Sequence, residues 1–264
     1  MRLRVLTWIV TATCVALSGC EKKDGDGSSG TRGTEGRVEF TFLRSCFFGC
    51  PLEQPLLAGT RERIGLSDQG DVAGLQVESS DPERAELAIE RECHCERDGE
   101  STARVAVAEN ARCDERWTKH CDNTVLVAAH AAGEVELTLR DEDDALIDRV
   151  SIRIAEPERA RFRATLPERL GAIEVTEIDL QPEQSAQIEL TLYDADGREL
   201  LAPEGVDWRI GNAEVATVSA FLLGSSAEVD AGSIVSVQAR NEGETTLTVT
   251  VPGFDTELAI RVVP

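Results

Sequence analysis

Two short runs hold the residues best able to do chemistry. In R-E-C-H-C-E-R-D-G, residues 91–99, Cys93 and Cys95 flank His94; further on, His120 abuts Cys121. Thiols and imidazoles this close suit three chemistries: ligation of zinc or copper, thiol redox exchange, or disulfide crosslinking. Zinc sites usually carry a C-x-x-C knuckle, and this chain has none. A Cys–His pair can act as nucleophile and base, yet sequence neighbours on a strand face opposite ways, which weakens His120–Cys121 in that role. His130 falls at a turn and reads as solvated. No G-x-S-x-G, H-E-x-x-H or P-loop occurs, so no catalytic residue is assigned. The choice among the three chemistries rests on compartment.

The amino terminus speaks to compartment. M-R-L-R precedes a short apolar run, Val5 to Leu17, and then L-S-G-C at Leu17–Cys20. A basic start and about a dozen apolar residues make a secretory signal; the run is shorter than the roughly 20 residues a bilayer span needs. L-S-G-C resembles the lipobox of bacterial lipoproteins. That resemblance implies cleavage before Cys20, acylation of its thiol, and stable attachment, because several acyl chains anchor where one does not. Glu21 to Gly36 is Gly, Ser, Thr and charge, reads as a disordered tether, and would span roughly 20–25 Å as a coil.

Eight cysteines then sort themselves. Cys14 leaves with the signal and Cys20 takes lipid, leaving Cys46, Cys50, Cys93, Cys95, Cys113 and Cys121. An even set outside the cytoplasm favours three disulfides. Cys93 and Cys95 are too close to bridge each other without strain. The expectation is Cys113 with Cys121, and Cys46 and Cys50 with Cys93 and Cys95.

Charge narrows the partners. The chain carries −22, and about −24 once Arg2 and Arg4 leave with the signal. That disfavours nucleic acid and anionic lipid surfaces. D-A-D-G-R-E (194–199) and D-E-D-D-A-L-I-D (141–148) gather hard carboxylate ligands, which makes Asp194, Asp196, Asp141 and Asp143 weak calcium candidates. D-A-D-G is equally good hairpin-turn chemistry, and that reading is preferred. No metal or cofactor is assigned.

The elements that must position these residues are strands. In Q-I-E-L-T-L-Y, Ile188, Leu190 and Leu192 alternate with polar neighbours, as do Leu247, Val249 and Val251. Turn signals recur every 8–12 residues, which suits antiparallel sandwiches. An internal repeat supports two of them. V-L-V-A-A-H-A-A-G-E-V-E-L-T-L (125–139) aligns with V-S-V-Q-A-R-N-E-G-E-T-T-L-T-V (235–249) at an offset of 110. Upstream, residues 74–87 align with 205–218 at an offset of 131, so the first copy holds an insertion of about 21 residues, at about 91–123, with four of the cysteines.

W-R-I-G-N-A-E-V-A-T-V-S, followed by I-V-S-V-Q-A-R-N-E-G-E-T-T-L-T-V, resembles a bacterial immunoglobulin-like domain of group 2. The positions that carry it are Trp208, Asn212, Val215–Val218, Val237, Ala239, Gly243, Leu247, Thr248 and Val249. The resemblance covers most of 172–264. In the first copy Val77 stands where Trp208 does. Trp208 is expected to fill the centre of the second core, and disulfides beside Val77 to compensate for the smaller residue.

The reading is an all-β chain: signal peptide 1–19, lipidated cysteine and tether 20–36, an immunoglobulin-like sandwich at 37–156 with the cysteine-rich insertion, a linker or first strand at 157–171, and a second sandwich at 172–264. The resemblance implies a non-enzymatic, lipid-anchored envelope protein, a stalk or adhesion module that meets another envelope protein or a polysaccharide. The outer membrane is favoured over the inner. The alternative is an accessory redox or metal-binding envelope protein that uses the insertion.

Overall fold

The computed structural model describes residues 30–43, 52–67, 72–97, 100–166, 171–201, 205–220 and 232–264. Cys20, Cys46 and Cys50 lie outside the described residues. Regular structure among the described residues is strand throughout. The first half forms β1 (Thr31–Arg32), β2 (Glu39–Phe42), β3 (Leu56–Leu57), β4 (Arg61–Ser67), β5 (Gln76–Ser79), β6 (Ala85–Arg97), β7 (Glu100–Val107), β8 (Trp117–Ala129), β9 (Gly133–Arg140) and β10 (Leu146–Ala155). The second half forms β11 (Arg159–Thr165), β12 (Ile173–Val175), β13 (Glu177–Leu180), β14 (Ser185–Tyr193), β15 (Asp207–Ile210), β16 (Ala216–Ala220), β17 (Ile234–Ala239), β18 (Gly243–Val251) and β19 (Phe254–Val262).

Each half makes two sheets. The first pairs β1-β2-β4-β8-β6-β7 with β3-β10-β9-β5; the second pairs β12-β11-β14-β17-β16 with β13-β19-β18-β15. Every pairing is antiparallel except β3 with β10 and β13 with β19, which are parallel. The alternation read in the sequence becomes the inward face: Ala186, Ile188, Leu190 and Leu192 of β14 are all buried, as are Val135, Leu137 and Leu139 of β9. Each such side chain stabilises its sandwich by about 1.5–3 kcal/mol. The molecule is a tandem of immunoglobulin-like β-sandwiches.

The repeat holds bond by bond. The amides of His130 and Ala131 donate to Arg84 O, and those of Arg240 and Asn241 donate to Val215 O. Arg84 and Ala85 donate to Asp81 O; Val215 and Ala216 donate to Asn212 O. These are the offsets of 110 and 131 found in the sequence. Gly133 and Gly243 open β9 and β18 with the same φ of 149°, a conformation that suits a residue without Cβ. A Cβ there would press on Arg84 or Val215.

Three expectations are corrected. The tether was assigned through Gly36, but Thr31–Arg32 pairs with β2 and Gly33 is buried, because the following loop is tied to Asp148. Trp208 is half-buried at the rim of the second core rather than at its centre. It sits on β15, a four-residue strand at the edge of its sheet, and donates its indole N–H to Gly232 O at 3.3 Å. Val77 packs on the first core with Val72, Leu87 and Ile89, while the buried cysteines lie outside that cluster, so no cystine compensates for it. The segment 157–171, open as linker or strand, contains β11.

Candidate functional site: the disulfide-bonded arm

β6 and β8 stay paired from Ala85↔Ala129 to Arg97↔Trp117. Only the near half covers the core: Ile89, opposite Val125, is the outermost β6 residue packed on it. Beyond that the two strands, joined by β7, form a three-stranded arm. Its root is polar. Arg91 Nη1 donates to Val72 O at 2.6 Å and to Asn123 Oδ1 at 3.1 Å, and Asn123 Nδ2 donates to the same carbonyl at 2.9 Å. Arg91 also meets Glu109 across 3.0 Å. Shared acceptors of this kind fix the arm's angle to the sandwich, since each broken bond would strand a half-buried donor.

The register then decides the cystines. Cys93 lies directly opposite Cys121, Cα–Cα 4.0 Å, and the two are bonded. Cys95, two residues on and on the same face, is bonded to Cys113 from the loop between β7 and β8, Cα–Cα 5.8 Å. This corrects the expected Cys113–Cys121 bridge and the expected partners of Cys93 and Cys95. Closeness in sequence had suggested the former; cross-strand pairing overrides it. Cys93, Cys95 and Cys121 are buried, so these sulfurs serve neither as thiolate ligands nor as nucleophiles.

The opposite face carries the imidazoles. His94 lies directly across from His120, with ring centroids 5.8 Å apart and 28° between planes. Asp122 Oδ2 is 3.8 Å from His94 Nδ1, and Glu96 Oε2 is 3.8 Å from His94 Nε2. His130 stands apart, exposed, at the turn after β8. Among the described residues no group of three or more His, Cys, Asp or Glu is already gathered around one ion position.

The two acidic runs form turns. Asp141 Oδ1 accepts the amides of Asp143 and Ala145 at 3.0 and 2.9 Å, closing the β9–β10 turn. Asp194 Oδ1 accepts the Arg198 amide at 2.8 Å, with Gly197 at φ 77° completing a hairpin. Arg153 of β10 reaches Asp196 at 2.7 Å and Asp194 at 3.6 Å. This guanidinium belongs to the first sandwich and those carboxylates to the second. They line a cleft of about 670 Å³ between the two, with Glu134, Glu156 and Glu158.

One functional carboxylate escaped the sequence reading. Asp148 is fully buried, and its oxygens accept four amides, from Glu35, Arg37, Val38 and Arg149, each at 2.8 Å. Burial pushes its pKa up, and the four N–H donors outweigh that and hold it below the ordinary 3.8. Gly33 leaves no space for a Cβ beside it. Its signal was parity: Asp148 shares the inward phase of Val150, Ile152 and Ile154.

No family model matches the chain, and none of the curated proteins matches it. Solved structures do. Domains 4 and 5 of the S-layer protein SbsC match at 17% identity over 76% of this chain and 82% of that one, TM-score 0.29. Invasin, a bacterial integrin-binding protein, matches at 12% over 88% and 41%, TM-score 0.30. A β-glucuronidase from glycoside hydrolase family 2 matches at 16% over 86% and 20%, TM-score 0.32. At these scores none lends a property to this chain.

Proposed function

We propose that the protein is a non-enzymatic, lipid-anchored component of a bacterial cell envelope, held through Cys20. It faces the periplasm or the exterior, the outer membrane being the favoured site. Its two sandwiches act as a stiff stalk that presents the arm to another envelope protein or a polysaccharide.

The observation that carries the stalk is the seam between the sandwiches. Three residues, 156–158, separate β10 from β11. Leu201, from the second half, is buried in the first core, and Leu57, from the first half, is buried in the second. The Leu201 amide donates to Pro55 O at 2.9 Å, and Arg153 pairs across the seam. A short connection, exchanged apolar side chains and a cross-seam ion pair leave little freedom to hinge.

The test is palmitate labelling and membrane fractionation of the wild type beside Cys20→Ser, with small-angle scattering of the released form. Labelled, membrane-bound wild type, a soluble variant and one rigid elongated particle support the proposal. An unlabelled wild type, or a particle whose halves reorient freely, overturns it.

A further inference from the structure

We propose that the outer face of the arm is a transition-metal site, with His94, His120 and Asp122 as ligands for one Zn²⁺ or Cu²⁺. The disulfides remove the four arm cysteines from consideration and at the same time create the conditions for an imidazole site. Bonding Cys93 to Cys121 locks the register of β6 and β8 one residue from the point where His94 faces His120. The Arg91–Asn123 knot lies two residues further toward the sandwich. The strands therefore cannot slide, and the imidazoles are held opposite each other before any ion arrives. That is the preorganisation a metal site needs.

The distances fit. An ion with bonds of about 2.0–2.1 Å in tetrahedral geometry holds its ligand atoms roughly 3.4 Å apart and two bound imidazole centroids roughly 5 Å apart. Here the centroids are 5.8 Å apart and Asp122 Oδ2 is 3.8 Å from His94 Nδ1. Each must close by less than about 1 Å, which rotation about the broad terminal torsion of histidine supplies. His120 and Asp122 are two residues apart on β8, so both project to one face. The fourth position is left for water or for a side chain of a partner.

Chemistry selects the ion. Two imidazoles and one carboxylate suit Zn²⁺ or Cu²⁺ rather than Ca²⁺ or Mg²⁺, which demand oxygen sets. Glu92 and Glu96 share this face with Asp122, and their carboxylates, with the −22 charge of the chain, draw cations toward it. The site goes beyond the stalk reading and stands whether or not Cys20 is acylated.

The experiment is titration of the metal-stripped full-length protein with Zn²⁺ and with Cu²⁺ against a competing chelator, and with Ca²⁺ as control. Expected is one transition ion per chain, nitrogen hyperfine structure in the electron paramagnetic resonance of the Cu²⁺ form, and binding weakened at least about tenfold by H94Q or H120Q, a loss that even second-shell changes can cause. D122N weakens binding less, and H130Q leaves it unchanged. A count of free thiols in each variant, unchanged from wild type, shows that the arm is still folded. Absence of binding, an all-oxygen copper signal, or wild-type affinity in the H94Q/H120Q double variant overturns the site.

Discussion

Replacing Asp148 by Ala removes the one acceptor that ties the 33–38 loop to the first sandwich. Four amides lose a charged partner at 2.8 Å. A hydrogen bond to a charged group contributes about 1.5–3 kcal/mol, and a buried donor left without a partner costs about 1–3 kcal/mol. The amides of Glu35 and Arg37 belong to exposed residues and recover water if the loop lifts, whereas Val38 is fully buried. The net loss is therefore about 3–5 kcal/mol rather than the sum, enough to lower the melting point of the first sandwich by about 10–20 °C. Acid titrates the same contact. The folded carboxyl lies below its ordinary 3.8, so its stabilisation is complete above that value and is lost as pH falls through the lower folded one. D148A should lack that component of acid sensitivity. The assay is denaturant unfolding from neutral pH to about pH 2, with hydrogen exchange at the Val38 amide. A variant within about 1 kcal/mol of wild type, with Val38 still protected, would refute the clamp.

Three further outcomes follow from other contacts. Replacing both Cys93 and Cys121 by Ala opens a crosslink across 28 residues and should cost about 3–4 kcal/mol by loop entropy, read as lost protection in the arm with the second sandwich melting unchanged. Gly243→Ala should destabilise the second sandwich by about 2–3 kcal/mol, and Gly133→Ala the first by about 1–2 kcal/mol; the new methyl meets the branched, buried Val215 in one case and the movable Arg84 in the other, and equal losses by calorimetry would contradict this. Leu201→Ala should cost about 2–4 kcal/mol and lower the melting of the first sandwich, whose core it enters from the second half; a loss confined to the second sandwich would refute the shared seam.

The strands were legible because alternation is local: Ile188, Leu190 and Leu192 announce an inward face without reference to any other segment. The repeat was legible because duplicated turns keep their glycines, as Gly133 and Gly243 do. What could not be read depends on which segment lies beside which. Cys113 and Cys121 are near in sequence, but the β6–β8 register brings Cys121 to Cys93 and leaves Cys113 for Cys95. Trp208 carries the family-like motif, but position in the sheet, not residue type, decides burial, and β15 is an edge. The exchange of Leu57 and Leu201 between cores leaves no periodic trace, because each is a single side chain beyond a strand end. The histidines drew notice beside their cysteines, yet their facing each other is a fact of pairing that spacing alone does not give.

The arm grows from the sandwich by equal steps on both strands: from Ile89 opposite Val125 to Cys93 opposite Cys121 is four residues each way. The pleat therefore runs through without slipping, cystine on one side and imidazoles on the other. Trimming or extending it by two residues per strand would keep that two-sidedness, whereas a change of one would turn the sulfurs outward and the histidines inward. Drift in arm length among descendants of this sequence should thus proceed in even increments, with the sandwich beneath indifferent to how far the arm extends.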